Sequence, residues 1–101
     1  MVRWIRTARI ASSSKFGKAL DFAQKSKLLS AKFPEAKKIE VFLDAFGNTT
    51  QMRWSIDYPD LATLEKVQQK ILTDADYWKF LAEYEDAFVQ GSIDDVVLTE
   101  I

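Results

Sequence analysis

The sequence predicts an α+β fold: a four-stranded antiparallel sheet with two helices packed on one of its faces. Three features of the 101 residues carry that prediction. Two alternating apolar–polar runs meet at a tight-turn dipeptide between Lys38 and Tyr58, a segment of helical period lies on either side of them, and β-branched stretches stand near both ends.

In the first stretch, Val2, Trp4, Ile5, Ala8 and Ile10 are separated by Arg3, Arg6, Thr7 and Arg9. Such residues suit a pleated, half-buried surface, so a strand is expected. Its alternation is too imperfect to assign its two faces, and the side taken by Arg6 stays open. Ser12-Ser13-Ser14 then offers hydroxyls to cap the free amides of a helix. In that helix Phe16, Ala19, Leu20 and Ala23 recur at three- and four-residue spacing, with Lys15, Lys18, Lys25 and Lys32 on the solvated remainder. Phe22, Leu29 and Phe33 form a second stripe, so the buried face is broad or the helix curves. Pro34 is expected to end it, because the residue before a proline is pushed out of helical dihedrals.

The hairpin is the clearest element. Ile39, Val41, Leu43 and Ala45 alternate with Glu40, Phe42, Asp44 and Phe46; after Gly47-Asn48, the residues Met52, Trp54, Ile56 and Tyr58 alternate with Arg53, Ser55 and Asp57. A two-residue loop places Leu43 opposite Met52, Val41 opposite Trp54 and Ile39 opposite Ile56, with every aliphatic side chain on one face. A longer loop of the same parity keeps this arrangement. Asp60 is the candidate cap of a second helix carrying Leu61, Leu64, Val67, Ile71 and Leu72. Thr73-Asp74-Ala75-Asp76 interrupts it, and Tyr77, Trp78, Leu81, Tyr84 and Phe88 resume the helical spacing up to Gly91. Val96 to Ile101 reads as the last strand. The order is βαββαβ, the ferredoxin-like plan, over one domain spanning residues 1–101.

Composition removes several chemistries. With no cysteine and no histidine there is no thiolate nucleophile, no Fe–S cluster, no Cys- or His-based metal site and no Ser-His pair; neither metal nor cofactor is expected. No apolar run is long enough to cross a bilayer, and the first residues lack a secretory pattern, so a cytoplasmic protein without a membrane partner is expected. Charge is uneven: residues 1–38 carry a net +8 and residues 39–101 a net −9. The basic half invites a nucleic-acid reading. The near-neutral total favours instead a lysine-rich helix lying beside acidic elements of the same domain, with no nucleic-acid partner.

Two helices cover only one side of a sheet. On the hairpin the other side holds Glu40, Phe42, Asp44, Phe46, Gln51, Arg53, Ser55 and Asp57, a partly apolar surface that calls for a partner. Element order, the segment Leu61-Ala62-Thr63-Leu64-Glu65, the run Leu72-Thr73-Asp74-Ala75-Asp76-Tyr77-Trp78-Lys79-Phe80-Leu81 and Phe46-Gly47-Asn48 together resemble the dimeric α/β-barrel superfamily. A proline common after the Asp is here Ala75. The resemblance implies a homodimer packed sheet on sheet. It also implies a relation to uncharacterised members and to cofactor-independent monooxygenases of the antibiotic-biosynthesis type, haem-degrading monooxygenases, muconolactone isomerases and polyketide cyclases. Without histidine, haem chemistry and His-based cyclisation have no counterpart residue.

What remains is a ligand-binding cavity between the two sheets, lined by Glu40, Phe42, Asp44, Phe46 and Arg53. Arg53 faces Phe42 and lies diagonal to Glu40 and Asp44, so it can orient an anionic or carbonyl group, with Asp44 or Asp57 as a base whose pKa rises on desolvation. A cross-strand ion cluster that sets register is the structural alternative. Trp54 is expected to point toward the helices as core, and Tyr77, Trp78 and Tyr84 to be core or a lid. Two functions stay open: a non-catalytic dimer that binds a small hydrophobic or oxygenated metabolite, and a monooxygenase-, isomerase- or cyclase-like enzyme.

Overall fold

The structure, a computed structural model, describes residues 1–28, 32–44 and 50–101. Strands β1 (Val2–Arg9), β2 (Lys37–Leu43), β3 (Gln51–Tyr58) and β4 (Asp94–Thr99) are joined by helices α1 (Phe16–Lys27), α2 (Leu61–Leu72) and α3 (Ala75–Tyr84). The strands form one antiparallel sheet in the order β2-β3-β1-β4. This is the ferredoxin-like arrangement, with β1 and β3 central and β2 and β4 at the edges.

Val41 stands opposite Trp54 and Leu43 opposite Met52, as the alternation requires. At the expected Ile39–Ile56 pair the ladder is interrupted by a bulge, in which Lys38 and Ile39 together stand against Ile56. Lys37 lies opposite Asp57 and Glu40 opposite Ser55, so β2 carries one residue more than β3 over this stretch. Lys38 adopts a φ of 54°, the left-handed backbone that accommodates a bulge. The expected turn at Gly47-Asn48, with Ala45 and Phe46 before it, and Leu29 lie outside the described residues.

Helix α1 departs from expectation at both ends. A 3₁₀ turn, Ser13–Lys15, precedes it, and the Ser12 hydroxyl pairs with Ser14 Oγ at 2.9 Å instead of capping a backbone amide. The helix ends at Lys27, with Leu28 as its C-cap, before Pro34 is reached. Its buried residues are Ala19, Ala23 and Ser26, whereas Phe16 and Leu20 are exposed. The second stripe does more of the packing: the Phe22 ring meets those of Trp54, Phe80, Tyr84 and Phe88 at centroid distances of 5.7, 5.0, 5.3 and 5.4 Å.

Carboxylate caps fix the other two helices. Asp60 accepts from the Thr63 amide at 2.8 Å and opens α2. Asp74 accepts from the amides of Asp76 and Tyr77 at 3.0 and 3.2 Å and opens α3, so the acidic break separates two helices. Gly91, at φ 79°, supplies a turn before β4.

Two buried clusters lie between helices and sheet. One holds Ala8, Ile10, Ala19, Met52, Trp54 and Ala87, the other Val2, Phe33, Ala36, Tyr58, Leu64 and Val67. The uneven charge resolves into pairs between the basic and acidic parts of the chain. Lys15 and Lys18 both meet Asp86, Lys32 meets Asp74, Arg3 meets Asp57 and Arg6 meets Asp95.

Candidate functional site

On the face without helices, strand alternation sets out Arg3, Ile5 and Thr7 of β1, Glu40 and Phe42 of β2 with Asp44 just beyond it, Arg53, Ser55 and Asp57 of β3, and Val96 and Leu98 of β4. Phe42, Val96 and Leu98 are about half exposed. Arg53 lies opposite Phe42, as expected, and donates to both oxygens of Asp44 at 2.8 and 3.3 Å. Asp57 accepts the same two-pronged contact from Arg3 at 2.7 and 3.2 Å. Hydrogen bonds from these guanidinium groups hold the Asp44 and Asp57 carboxyls below their ordinary pKa range, the opposite of the direction proposed for a desolvated base. Glu40 lies nearer Lys38, at 3.9 Å, and Phe46 is outside the described residues. Within one chain these residues line a surface rather than an enclosure.

A deeper concavity is on the other side of the sheet. A cavity of about 480 Å³ lies between the helices and the strands, with walls drawn from both buried clusters. Ten of the chain's 13 aromatic residues line it, among them Trp4, Phe33, Trp54, Phe80 and Phe88. The size is that of pockets that enclose a small organic molecule, and the walls offer flat apolar surface. Trp54 points toward the helices, as its parity predicts, and its indole N–H donates to Ser26 Oγ at 3.2 Å. Burial pushes the Tyr58 phenol up to about 12, so it stays a neutral hydrogen-bonding group over the physiological range.

The polar part of this wall is built around Arg6. Its pairing with Trp54 on β3 places it on the helix side. The guanidinium sits 4.9 Å from the Trp4 ring centroid and donates through Nε and Nη2 to Asp95 at 2.7 and 2.8 Å. Asp95 reaches it from β4, directly opposite in the ladder. The hydrogen bond to Asp95 raises the Arg6 pKa further, and Tyr77 of α3 faces the same guanidinium. Burial raises the Tyr77 phenol pKa, against the lowering effect of Arg6. Tyr84 is buried and donates to Asp21 at 2.5 Å, whereas Trp78 is half exposed and donates to the Leu72 carbonyl at 3.1 Å.

Sequence patterning missed this corner, although a signal was present. Arg6 interrupts a row of every-second residues, Val2, Trp4, Ala8 and Ile10, that is otherwise apolar. A charged residue in such a row is either paired or functional. Among the described residues, no group of three or more carboxylates is placed to hold a metal, and no helix is long and apolar enough to cross a membrane.

With the sheet order and the helix-side cavity established, comparison with solved structures is decisive for the fold. Protein Atu4242 from Agrobacterium tumefaciens superposes with a TM-score of 0.79 at 14% identity, over 100% of this chain and 94% of that one. An uncharacterised NIPSNAP domain protein from Burkholderia xenovorans gives 0.79 at 15% identity, over 100% and 95%. The chain has the ferredoxin-like fold that these proteins share. A candidate antibiotic biosynthesis monooxygenase from Nitrosomonas europaea shares it, with a TM-score of 0.76 at 13% identity over 100% and 99% of the two chains. No protein-family model and no curated protein matches the sequence. Identities this low establish the architecture and leave activity to be argued from the site.

Proposed function

We propose that this protein binds a small hydrophobic or oxygenated metabolite in the cavity between its helices and its sheet, and that it works in the cytoplasm as a homodimer paired through the open sheet faces. The concentration of aromatic residues around the 480 Å³ space is the observation that supports the binding reading. A domain of this size that needed only a filled core would close such a space, because unfilled apolar volume is destabilising. The half-exposed Phe42, Val96 and Leu98 support the dimer.

A panel of aromatic and alicyclic compounds, each added at a concentration well above its dissociation constant, tests the first part. Binders are expected to raise the melting temperature by several degrees. Gln68→Trp, which projects a larger ring into the cavity from α2, is expected to abolish the rise. A rise that survives in Gln68→Trp but vanishes in Arg53→Met or Asp44→Asn would put the ligand in the space between two sheets, beside Glu40, Phe42, Asp44, Phe46 and Arg53.

One observation favours a catalytic version of the same site. The Tyr77 hydroxyl and the Arg6 guanidinium adjoin in a largely apolar enclosure, where hydrogen-bond donors stabilise a developing enolate oxygen far better than in water. That would suit a monooxygenase-, isomerase- or cyclase-like reaction. Turnover by the wild type that Tyr77→Phe and Arg6→Met both lower at least about tenfold would establish it; a panel that binds without turnover would leave the protein a carrier or sensor.

A further inference from the structure

We infer that Arg6, neutralised by Asp95 and flanked by Tyr77, sets the specificity of the cavity, which selects an uncharged aromatic carbonyl compound over an aromatic carboxylate. This rests on the binding reading above and adds the chemical class of the ligand.

The argument starts from donor geometry. A guanidinium has five N–H groups in one plane. Asp95 occupies two of them, on Nε and Nη2, and Trp4 lies against the flat face at 4.9 Å, which leaves the in-plane edge toward Nη1 as the remaining donor surface. The Tyr77 hydroxyl faces this guanidinium and can donate its own proton to a third group. A carbonyl oxygen has two lone pairs, and these two donors match them.

Charge then decides between ligands that offer the same oxygen geometry. The Arg6–Asp95 pair carries no net charge. Asp95 stands behind the lining, and among the described lining residues the charged side chain besides Arg6 is Glu85, which is acidic. A carboxylate entering this space would give up its hydration without meeting net positive charge, an unfavourable exchange that a ketone avoids. An arginine without its aspartate would invert the preference.

Isothermal titration calorimetry with 2-acetonaphthone, 2-naphthoate and 2-ethylnaphthalene tests the inference on the full chain. These probes share one flat skeleton and differ in the polar group. The wild type is expected to bind the ketone roughly tenfold or more tightly than the carboxylate. Asp95→Asn, which frees the positive charge at a position 40% exposed, is expected to reverse that order. Arg6→Met is expected to leave the ketone no tighter than the hydrocarbon. Tyr77→Phe, which keeps the ring, is expected to weaken the ketone alone by a few-fold and supplies the test if Arg6→Met does not fold. Equal binding of ketone and carboxylate by the wild type, or an unchanged ratio in Asp95→Asn, would overturn the inference while the cavity remains a binding site. Failure of all three probes to bind would remove the binding reading itself.

Discussion

On β3, Met52, Trp54 and Tyr58 are buried beneath the helices, whereas Arg53, one step along the same strand, is exposed on the uncovered face. The ion pairs differ in their surroundings. Arg53 and Arg3 bind carboxylates on the face that no helix covers, and within one chain such pairs contribute little. Arg6 binds its carboxylate at the rim of an aromatic-lined cavity, with Trp4 and Tyr77 beside the guanidinium. One two-pronged contact therefore serves as surface pairing on one side of the sheet and as a recognition group on the other. Composition alone does not distinguish them; the side of the strand does.

The largest contrast is expected between neighbours. Met52→Ala, at a fully buried position, should cost about 2–5 kcal/mol in urea unfolding at any protein concentration, whereas any loss in Arg53→Met, on the face proposed to pair in the dimer, should depend on protein concentration. A loss in Arg53→Met that does not change with protein concentration would mean that Arg53 takes no part in the proposed dimer contact. The double variant Val96→Lys and Leu98→Lys sharpens the point. If the proposed dimer forms, this variant should halve the sedimenting mass at micromolar concentration, and an unchanged mass would rule this face out as its contact.

A middle-sized effect tests whether the helices hold the cavity open. Asp60→Ala removes the cap of α2 and should lower the urea midpoint by less than Met52→Ala does. It should also weaken cavity ligands while leaving the oligomeric state alone. The smallest effect is electrostatic. Hydrogen bonds from Lys15 and Lys18 lower the Asp86 carboxyl to about 2, from an ordinary 3.8. The folded state then favours the ionised form, so this group's stabilisation is present above pH 3.8 and is lost as pH falls toward 2. Asp86→Asn should flatten the acid limb of a melting-temperature profile, and an unaltered limb would show that the lysines do not hold that carboxylate in solution.

Much of the fold was legible because the alternation between Ile39 and Tyr58 permits one register, and a one-residue slip would scatter Val41, Leu43, Met52 and Trp54 over both faces. Asp60 and Asp74 announced their helices for an equally local reason: a short carboxylate before an apolar period has amides within reach. The bulge at Lys38 was not legible, since nothing in Lys37-Lys38-Ile39 marks a positive φ. Nor was the end of α1 before Pro34. The cavity was hidden for a different reason. Its volume depends on how far α2 and α3 stand from the strands, a property of three-dimensional packing that no window of sequence contains. The candidate residues on the hairpin were placed on their face by parity, but parity alone gave no account of Arg6 until the pairing of β1 with β3 fixed its side.

Arg6 and Asp95 are 89 positions apart. During synthesis the arginine leaves the ribosome 89 residues before its counter-charge does. Until β4 docks, the neutral corner does not exist, and whatever cavity the earlier elements have formed carries an unbalanced cation at its edge. Tight, ketone-selective binding would therefore report that the edge strand has closed the sheet, which makes the ligand a probe of β4 docking as well as of the finished site.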